Sequence, residues 1–160
     1  MTSRIGLLLL AAAGLGLGWR YPAAAATRTW IGGVDATWST AGNWSGGVPG
    51  PDDDVVFDGA TNRNATVDDA FAGSISNFMV YPEYGGTITL NRGLTVNGNG
   101  LLAGTNATAA VTWLQGEAND LRVKGSLVLS NTVILLVKPA STAGGTPGAG
   151  QTIRVDGELT

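Results

Sequence analysis

Acidic side chains are the residues best able to do chemistry in this chain, because it contains neither histidine nor cysteine. Without histidine the commonest general base and zinc ligand are missing, and without cysteine there are no disulfides or thiolate metal sites. Asp52, Asp53 and Asp54 could supply the clustered oxygens that Ca²⁺ prefers. Adjacent side chains on an extended strand point to opposite faces, and residues 49–52 form a Pro-Gly-Pro-Asp turn signal. We therefore favour a turn that leads into a strand, which leaves Asp52 and Asp54 as weak calcium candidates.

Paired carboxylates could also hydrolyse a glycosidic bond. Asp58 and Asp156 follow similar apolar segments, but with two coils between them they would lie roughly 14 Å apart, beyond the ~5 to 9.5 Å that glycosidases use. Asp68 and Asp69 could instead pair with Arg92. Because no acidic pair suits catalysis, we predict a protein that is not an enzyme and needs no cofactor. The alternative is the N-terminal part of a β-helix polysaccharide-degrading enzyme.

The first 26 residues have the organisation of a signal peptide. Arg4 precedes an apolar stretch over residues 5–18, and small residues follow at 23–26. This pattern predicts cleavage after Ala25 or Ala26. The apolar stretch is 14 residues long, shorter than the roughly 20 that a membrane-spanning helix needs. We therefore predict an exported protein, extracellular or on the cell surface, with no membrane span.

The charge balance excludes one class of partner. Cleavage removes Arg4 and Arg20, which leaves seven of the nine basic residues against 12 acidic ones. A surface with a net charge of −5 does not suit nucleic acid, whose phosphates require basic side chains. We expect extracellular glycans or other surface proteins as partners.

The remaining sequence has the pattern of a β-repeat protein. Short alternating apolar runs are separated by Gly, Asn, Asp and Pro. An apolar-x-apolar segment begins at Val55, Ile88, Leu121 and Ile153, at offsets of 33, 33 and 32 residues. A near-constant offset indicates a repeat architecture whose units bury their apolar faces by stacking in parallel. We therefore predict a parallel β-solenoid, with an antiparallel β-sandwich as the alternative.

Within each predicted unit, a glycine marks the turn between two strands. These glycines are Gly93, Gly125 and Gly157, and such turns often require positive φ. Further strands are expected over residues 74–81, 111–115 and 132–137, whereas residues 99–110 and 140–150 are expected to be loops.

Three segments result: the signal peptide at 1–26, a Trp-rich segment at 27–54 and the repeats of about 33 residues at 55–160. The fourth repeat is incomplete at Thr160, which would leave a sheet edge with unpaired N–H and C=O groups. We therefore expect the chain to be part of a longer protein, or to self-associate through this open C-terminal edge.

The Trp-rich segment resembles the N-terminal segment of large bacterial surface proteins of the autotransporter-passenger type, with autotransporter-associated β-strand repeats. The resemblance covers about 30 residues and rests on Trp30, Gly32, Trp38, Ser39, Asn43, Trp44, Gly46, Pro49, Asp54, Val55 and Phe57. It implies a right-handed parallel β-helix, export and a surface role, and it implies no catalytic residues. The export route stays open, because no translocator domain or sorting signal is recognisable in these 160 residues.

Trp30, Trp38 and Trp44 admit two interpretations. They could form a flat aromatic platform for sugars, as in a carbohydrate-binding module. They could instead cap the apolar end of the first coil, since tryptophan buries a large area per residue, and this is the interpretation we favour. The predicted function is a structural or adhesive role on the cell surface.

Overall fold

A computed structural model describes residues 25–103, 110–113, 120–130, 134–137 and 153–160. All but the last two residues of the predicted signal peptide lie outside the described residues, as does the predicted loop at 140–150. The described residues contain one three-residue 3-10 helix, Ala41–Asn43, and otherwise strands and turns. The strands are β1 (Thr27–Thr29), β2 (Asp54–Phe57), β3 (Ala65–Val67), β4 (Ser74–Ile75), β5 (Phe78–Val80), β6 (Ile88–Leu90), β7 (Leu94–Val96), β8 (Gly100–Ala103), β9 (Ala110–Trp113), β10 (Leu121–Val123), β11 (Leu127–Ser130), β12 (Ile134–Val137) and β13 (Ile153–Val155).

The strands form four parallel sheets. A five-stranded sheet has the order β1-β2-β5-β8-β11, and a four-stranded sheet has the order β13-β10-β7-β4. Two smaller sheets pair β3 with β6 and β9 with β12. Every ladder between these described strands is parallel, so the antiparallel sandwich considered as an alternative is wrong. The predicted all-β class and the parallel pairing are confirmed.

The chain visits the sheets in a fixed cyclic order. From β2 onward it passes through the five-stranded sheet, then a two-stranded sheet, then the four-stranded sheet, and then begins again. Strand β6 lies next to β9, so the two small sheets follow one another along the same side of the protein. Each circuit adds one strand to each of three faces, so successive circuits lie on top of one another.

The register differs from the predicted repeat of about 33 residues. Val55 pairs with Phe78, only 23 positions later, and Val55, Ile88 and Leu121 lie in three different sheets. Only Leu121 and Ile153 pair at the predicted offset of 32. The apolar-x-apolar pattern occurs on every face of a circuit, because each face has one side toward the core. Similar segments therefore need not stack on each other.

Among the residues whose burial is described, the core consists of inward residues of β2 to β8, β10 and β11, together with Trp30, Trp38, Trp44, Phe71 and Tyr84. The alternation predicted for β7 and β10 holds: Leu94, Val96, Leu121 and Val123 are buried, whereas Arg122 between the last two is exposed. The predicted loop over residues 99–110 is wrong at its start, because Gly100–Ala103 forms β8 and pairs with β5 and β11. Strand β8 therefore fills the position between β5 and β11 in the five-stranded sheet.

Glycines stack at the corner between the four-stranded and the five-stranded sheet. Gly98, Gly125 and Gly157 follow one another: Gly125 N–H donates to the Gly98 carbonyl at 2.8 Å, and Gly157 N–H donates to the Gly125 carbonyl at 3.1 Å. Neither Gly125 nor Gly157 has the predicted positive φ, and neither does Gly93. Glycine is required at this corner because successive backbones approach too closely for a Cβ.

Replacing Gly125 with alanine should therefore lower the free energy of unfolding by about 1–3 kcal/mol, the usual cost of overpacking. The new Cβ would overlap Asn99 Oδ1 and lie 2.6 Å from the Gly98 carbonyl oxygen. Gly50→Ala is the control, because its Cβ would lie 3.8 Å from its nearest neighbour, Asp53 Oδ2. Urea unfolding compares the two variants, and equal midpoints would contradict close stacking at this corner.

Candidate functional site

The three tryptophans of the Trp-rich segment are buried. Trp30, Trp38 and Trp44 are only 1%, 0% and 3% exposed. Edge-to-face contacts join Trp44 to Trp30 at 5.0 Å and to Trp38 at 5.1 Å between ring centroids, and Phe57 stacks on Trp30 at 5.8 Å. No ring face is open to a pyranose, so the glycan-platform interpretation of these residues does not fit the structure. Their packing agrees with the cap interpretation.

The Trp-rich segment also covers the first rungs with its backbone. Strand β1 extends the five-stranded sheet by pairing with β2, and Thr37 forms a parallel bridge with Thr66 of β3. The indole N–H of Trp30 donates to the Arg63 carbonyl at 3.1 Å, and Tyr84 Oη donates to the same carbonyl at 2.8 Å. Burial raises the pKa of the Tyr84 phenol, which keeps this donor protonated.

The buried amide of Asn43 organises the loop before Trp44. Its Oδ1 accepts hydrogen bonds from the N–H groups of Val34 at 2.8 Å and Asp35 at 3.0 Å. Its Nδ2 donates to Asp35 Oδ1 at 2.6 Å and to the Thr37 carbonyl at 2.8 Å. All four of its hydrogen-bonding positions are therefore filled. Asn43 belongs to the motif of the Trp-rich segment, but no local sequence pattern indicates this bonding role.

The predicted calcium candidates do not converge on a cation site. Asp52 is exposed, whereas Asp54 Oδ1 accepts a hydrogen bond from Asn77 Nδ2 at 2.7 Å. Asp53, between them, is buried and forms an ion pair with Arg28 at 3.1 Å. Within the described ranges, no group of three or more acidic side chains is placed to hold a metal ion. The turn-and-strand interpretation agrees with this geometry, since β2 begins at Asp54.

The acidic pairs considered for catalysis are also separated. Asp58 follows β2 of the five-stranded sheet and Asp156 follows β13 of the four-stranded sheet, so they do not occupy equivalent positions. The carboxylate of Asp68 accepts hydrogen bonds from the N–H and hydroxyl of Ser39. Arg92 donates to the backbone carbonyl of Asp69 at 2.9 Å and to none of the carboxylates proposed for it.

Basic side chains are concentrated on the outer face of the four-stranded sheet. Three of the seven basic residues that follow Ala25, Arg92, Arg122 and Arg154, line one groove on this face, and Lys124 directly follows strand β10. Arg122 pairs with Arg154 on the next rung, and Lys124 Nζ donates to Asn97 Oδ1 at 2.8 Å. Counted with Asp120 of the groove and Asp156 of the ion pairs, these four basic side chains carry a net charge of +2, whereas the whole chain carries −3.

Asp156 holds the two stacked arginines in place. Its carboxylate lies 2.7 Å from Arg122 Nη2 through one oxygen and 2.7 Å from Arg154 Nε through the other. The hydrogen bonds from these two arginines lower the pKa of Asp156. Without this bridge, two guanidinium groups one rung apart, at about 4.8 Å, would repel each other.

An open groove of about 560 Å³ runs along this basic face. Its lining comprises Gly73, Arg92, Gly93, Leu94, Thr95, Asp120, Arg122 and Arg154. At the inner end Arg92 donates to the carbonyls of Asp69 and Phe71, and it lies against Gly73, whose φ of +82° favours glycine. The Nε–H of Arg92 is buried and has no hydrogen-bond partner among the described residues. The groove therefore combines exposed guanidinium groups with a half-buried one that is held by backbone carbonyls.

A second groove of about 540 Å³ lies on the outer face of the five-stranded sheet. Its floor is an apolar column of in-register residues, Met79, Leu101 and Val128. Beside it runs a polar column in which Asn77 Oδ1 accepts from Asn99 N at 2.7 Å and Asn99 Oδ1 accepts from Ser126 N at 2.9 Å. These side chains bond to the next rung, which makes them part of the stack itself.

The sequence carried a signal for part of the basic face. The predicted repeat already places Arg122 and Arg154 in the same position of successive units. The structure confirms this alignment, and the matching basic residues at the exposed position of the two units indicate a charged column. Arg92 had no such signal, because its placement depends on Gly73 and on the carbonyl groups of a distant turn.

Comparisons with known proteins identify no relative: no protein-family model, curated protein or solved structure matches this chain. The resemblance of the Trp-rich segment to bacterial surface proteins therefore stays a prediction. None of the helices in the described ranges is long and apolar enough to cross a membrane.

Proposed function

We propose that the chain is an exported, surface-exposed right-handed parallel β-helix with a structural and adhesive role, and that its basic face binds acidic polysaccharides. The cyclic order of parallel strands supports the β-helix, because each circuit returns the chain to the same three faces. The arrangement of residues 1–26 supports export. The stacked rungs supply the stiffness that a surface-exposed spacer needs.

One observation carries the adhesive part of the proposal. Three of the seven basic residues after Ala25, Arg92, Arg122 and Arg154, line one groove of a protein whose net charge is negative. A globally acidic protein would repel an acidic polymer, so an attractive region must be local. Guanidinium groups match the geometry of carboxylate and sulfate groups through paired N–H donors. An open groove also suits an extended polymer better than a small molecule, which would need a more enclosed site.

Polygalacturonate is a suitable probe, because its methyl-esterified form has the same backbone without the charge. In affinity electrophoresis, we expect polygalacturonate in the gel to retard the purified chain, whereas the methyl ester should leave its mobility unchanged. Arg122→Gln combined with Arg154→Gln should weaken binding by roughly tenfold or more, since a charge-assisted hydrogen bond contributes about 1.5–3 kcal/mol. Added salt should weaken binding as well, because these arginines are exposed.

The control is a double variant that changes the net charge of the chain by the same amount at positions outside the basic face. Asn62→Asp combined with Asn64→Asp also lowers it by two, and aspartate keeps the oxygens that accept hydrogen bonds from Gly85 N and Thr87 N. Binding that falls equally in both double variants would indicate a general charge effect. Equal binding of the esterified polymer would contradict the proposal, and release of shortened products would instead indicate a polysaccharide-degrading enzyme.

A further inference from the structure

The backbone of Ala26 is held at both of its polar groups. Its N–H lies 2.9 Å from Asp53 Oδ1, and its carbonyl accepts a hydrogen bond from Asp54 N at 2.9 Å. Ala26 thus directly precedes β1 and continues its pairing with the start of β2. Ala25 is exposed. Ala26 is therefore hydrogen-bonded into the fold, one residue before the first strand.

The carboxylate of Asp53 is surrounded by hydrogen-bond donors that stabilise its negative charge. It is 8% exposed and, with Asn43, is one of the two buried polar residues in the described ranges. Besides Ala26 N it accepts hydrogen bonds from Gly50 N at 3.0 Å and Arg28 Nε at 3.1 Å. Burial raises the pKa of Asp53, but the hydrogen bonds from Gly50, Ala26 and Arg28 outweigh it, and the pKa lies below its usual value.

Both predicted cleavage positions satisfy signal peptidase, because residues 23–26 are all alanine. The two products differ in what they leave beside Asp53. Cleavage after Ala25 keeps the Ala26 nitrogen as a donor and converts it to an ammonium group. Cleavage after Ala26 removes that nitrogen together with the carbonyl that Asp54 N uses. The first product keeps both hydrogen bonds, and the second loses both.

We propose that the leader is removed between Ala25 and Ala26, and that the new α-ammonium group of Ala26 pairs with the Asp53 carboxylate and anchors β1. Hydrolysis of this peptide bond by a signal peptidase consumes one water, leaves a carboxylate on Ala25 and leaves an amine on Ala26, which takes up a proton. The inference rests on the export part of the proposed function. It does not depend on what the basic face binds.

The test starts from the full 160-residue chain expressed in a secreting bacterial host. Intact mass and N-terminal sequencing of the exported product should give a chain that begins at Ala26. A chain that begins at Thr27 would overturn this inference and leave export intact. An uncleaved chain that is retained in the cell would overturn both. Glycan binding is measured separately, so its failure would not be confused with either outcome.

Labelling of the α-amine tests the ion pair itself. An acylating reagent at neutral pH reacts with the unprotonated amine, which the pairing with Asp53 disfavours. Asp53→Asn should raise the labelling rate of Ala26 by about tenfold, the effect of one pKa unit. Asp52→Asn is the matched control, because Asp52 is exposed and lies one residue away. Equal rates in the two variants would overturn the pairing. If Asp53→Asn does not fold, the N-terminal sequence of the unmodified chain still decides the cleavage position.

Discussion

Replacing Trp44 with alanine is expected to lower the free energy of unfolding by about 3–5 kcal/mol, the usual loss for a buried tryptophan. Trp44 lies between Trp30 and Trp38 and also contacts Phe57, with ring centroids 5.9 Å apart. A cavity at this point would remove the contacts that attach the Trp-rich segment to the first rung. Chemical unfolding followed by tryptophan fluorescence measures the effect.

A matched pair of phenylalanine variants separates ring packing from hydrogen bonding. The indole N–H of Trp44 donates to the Trp38 carbonyl at 2.8 Å. The indole N–H of Trp38 is buried and has no partner among the described residues. Trp44→Phe should therefore cost about 1 kcal/mol more than Trp38→Phe, because only the former leaves a buried carbonyl without its donor.

The opposite behaviour would restore the glycan-platform interpretation. If Trp38→Ala and Trp44→Ala kept the stability of the unmodified chain and abolished glycan binding, these rings would be ligand contacts and the described packing would be wrong. If the two variants instead lose stability but still bind the acidic polysaccharide below their unfolding transition, the binding site lies outside the tryptophan cluster.

Replacing Asn43 with aspartate is the second change with a large expected effect. The substitution keeps the shape of the side chain but removes the two donors that reach Asp35 Oδ1 and the Thr37 carbonyl. It also places a carboxylate at a fully buried position, 2.6 Å from the carboxylate of Asp35. We expect a loss of about 3–5 kcal/mol at neutral pH, the usual cost of an unpaired buried charge. Asn64→Asp is the control, because its exposed oxygen keeps its acceptor role toward Thr87 N.

The pH dependence of this loss has a defined sign. In the unmodified chain, hydrogen bonds from Thr37 N–H, the Thr37 hydroxyl and Asn43 lower the pKa of Asp35 from 3.8 to about 2. Asp35 therefore contributes stability above pH 3.8, and this contribution is lost as the pH falls toward 2. In the variant, the new aspartate is destabilising when ionised, so its pKa in the folded state lies above the unfolded value of about 4. Its cost therefore shrinks as the pH falls from that raised pKa toward about 4. Denaturation at pH 7 and pH 3 should show the two proteins converging, and a constant difference would contradict this explanation.

The strands could be predicted from the sequence, but their stacking order could not. The alternation of Leu94-Thr95-Val96 and Leu121-Arg122-Val123 identifies strands and their inward sides correctly. It does not say which of the three faces a strand joins, because all faces need the same alternation. The near-equal spacing of Val55, Ile88 and Leu121 was therefore misleading, since the circuits have unequal lengths.

The sequence likewise predicts only part of the arrangement of the charged residues. Arg122 and Arg154 were aligned correctly because β10 and β13 are joined by one complete circuit. Asp53 was seen only as one of three adjacent acids, and its burial depends on Ala26 and Arg28, which lie 27 and 25 residues earlier. Contacts of this kind arise from the stacking of rungs, and local sequence patterns do not encode them.

The measurement that tests the central claim most directly is a titration of the ¹⁵N-labelled chain with trigalacturonic acid, followed by amide chemical shifts. If the ligand binds at the basic face, the amide signals of Thr95, Arg122 and Arg154 should shift during the titration. The same titration of the Arg122→Gln, Arg154→Gln double variant should leave the amide signals at these positions unchanged. Shifts centred on Met79 and Leu101, or none at a large excess of ligand, would contradict the assignment of adhesion to the basic face.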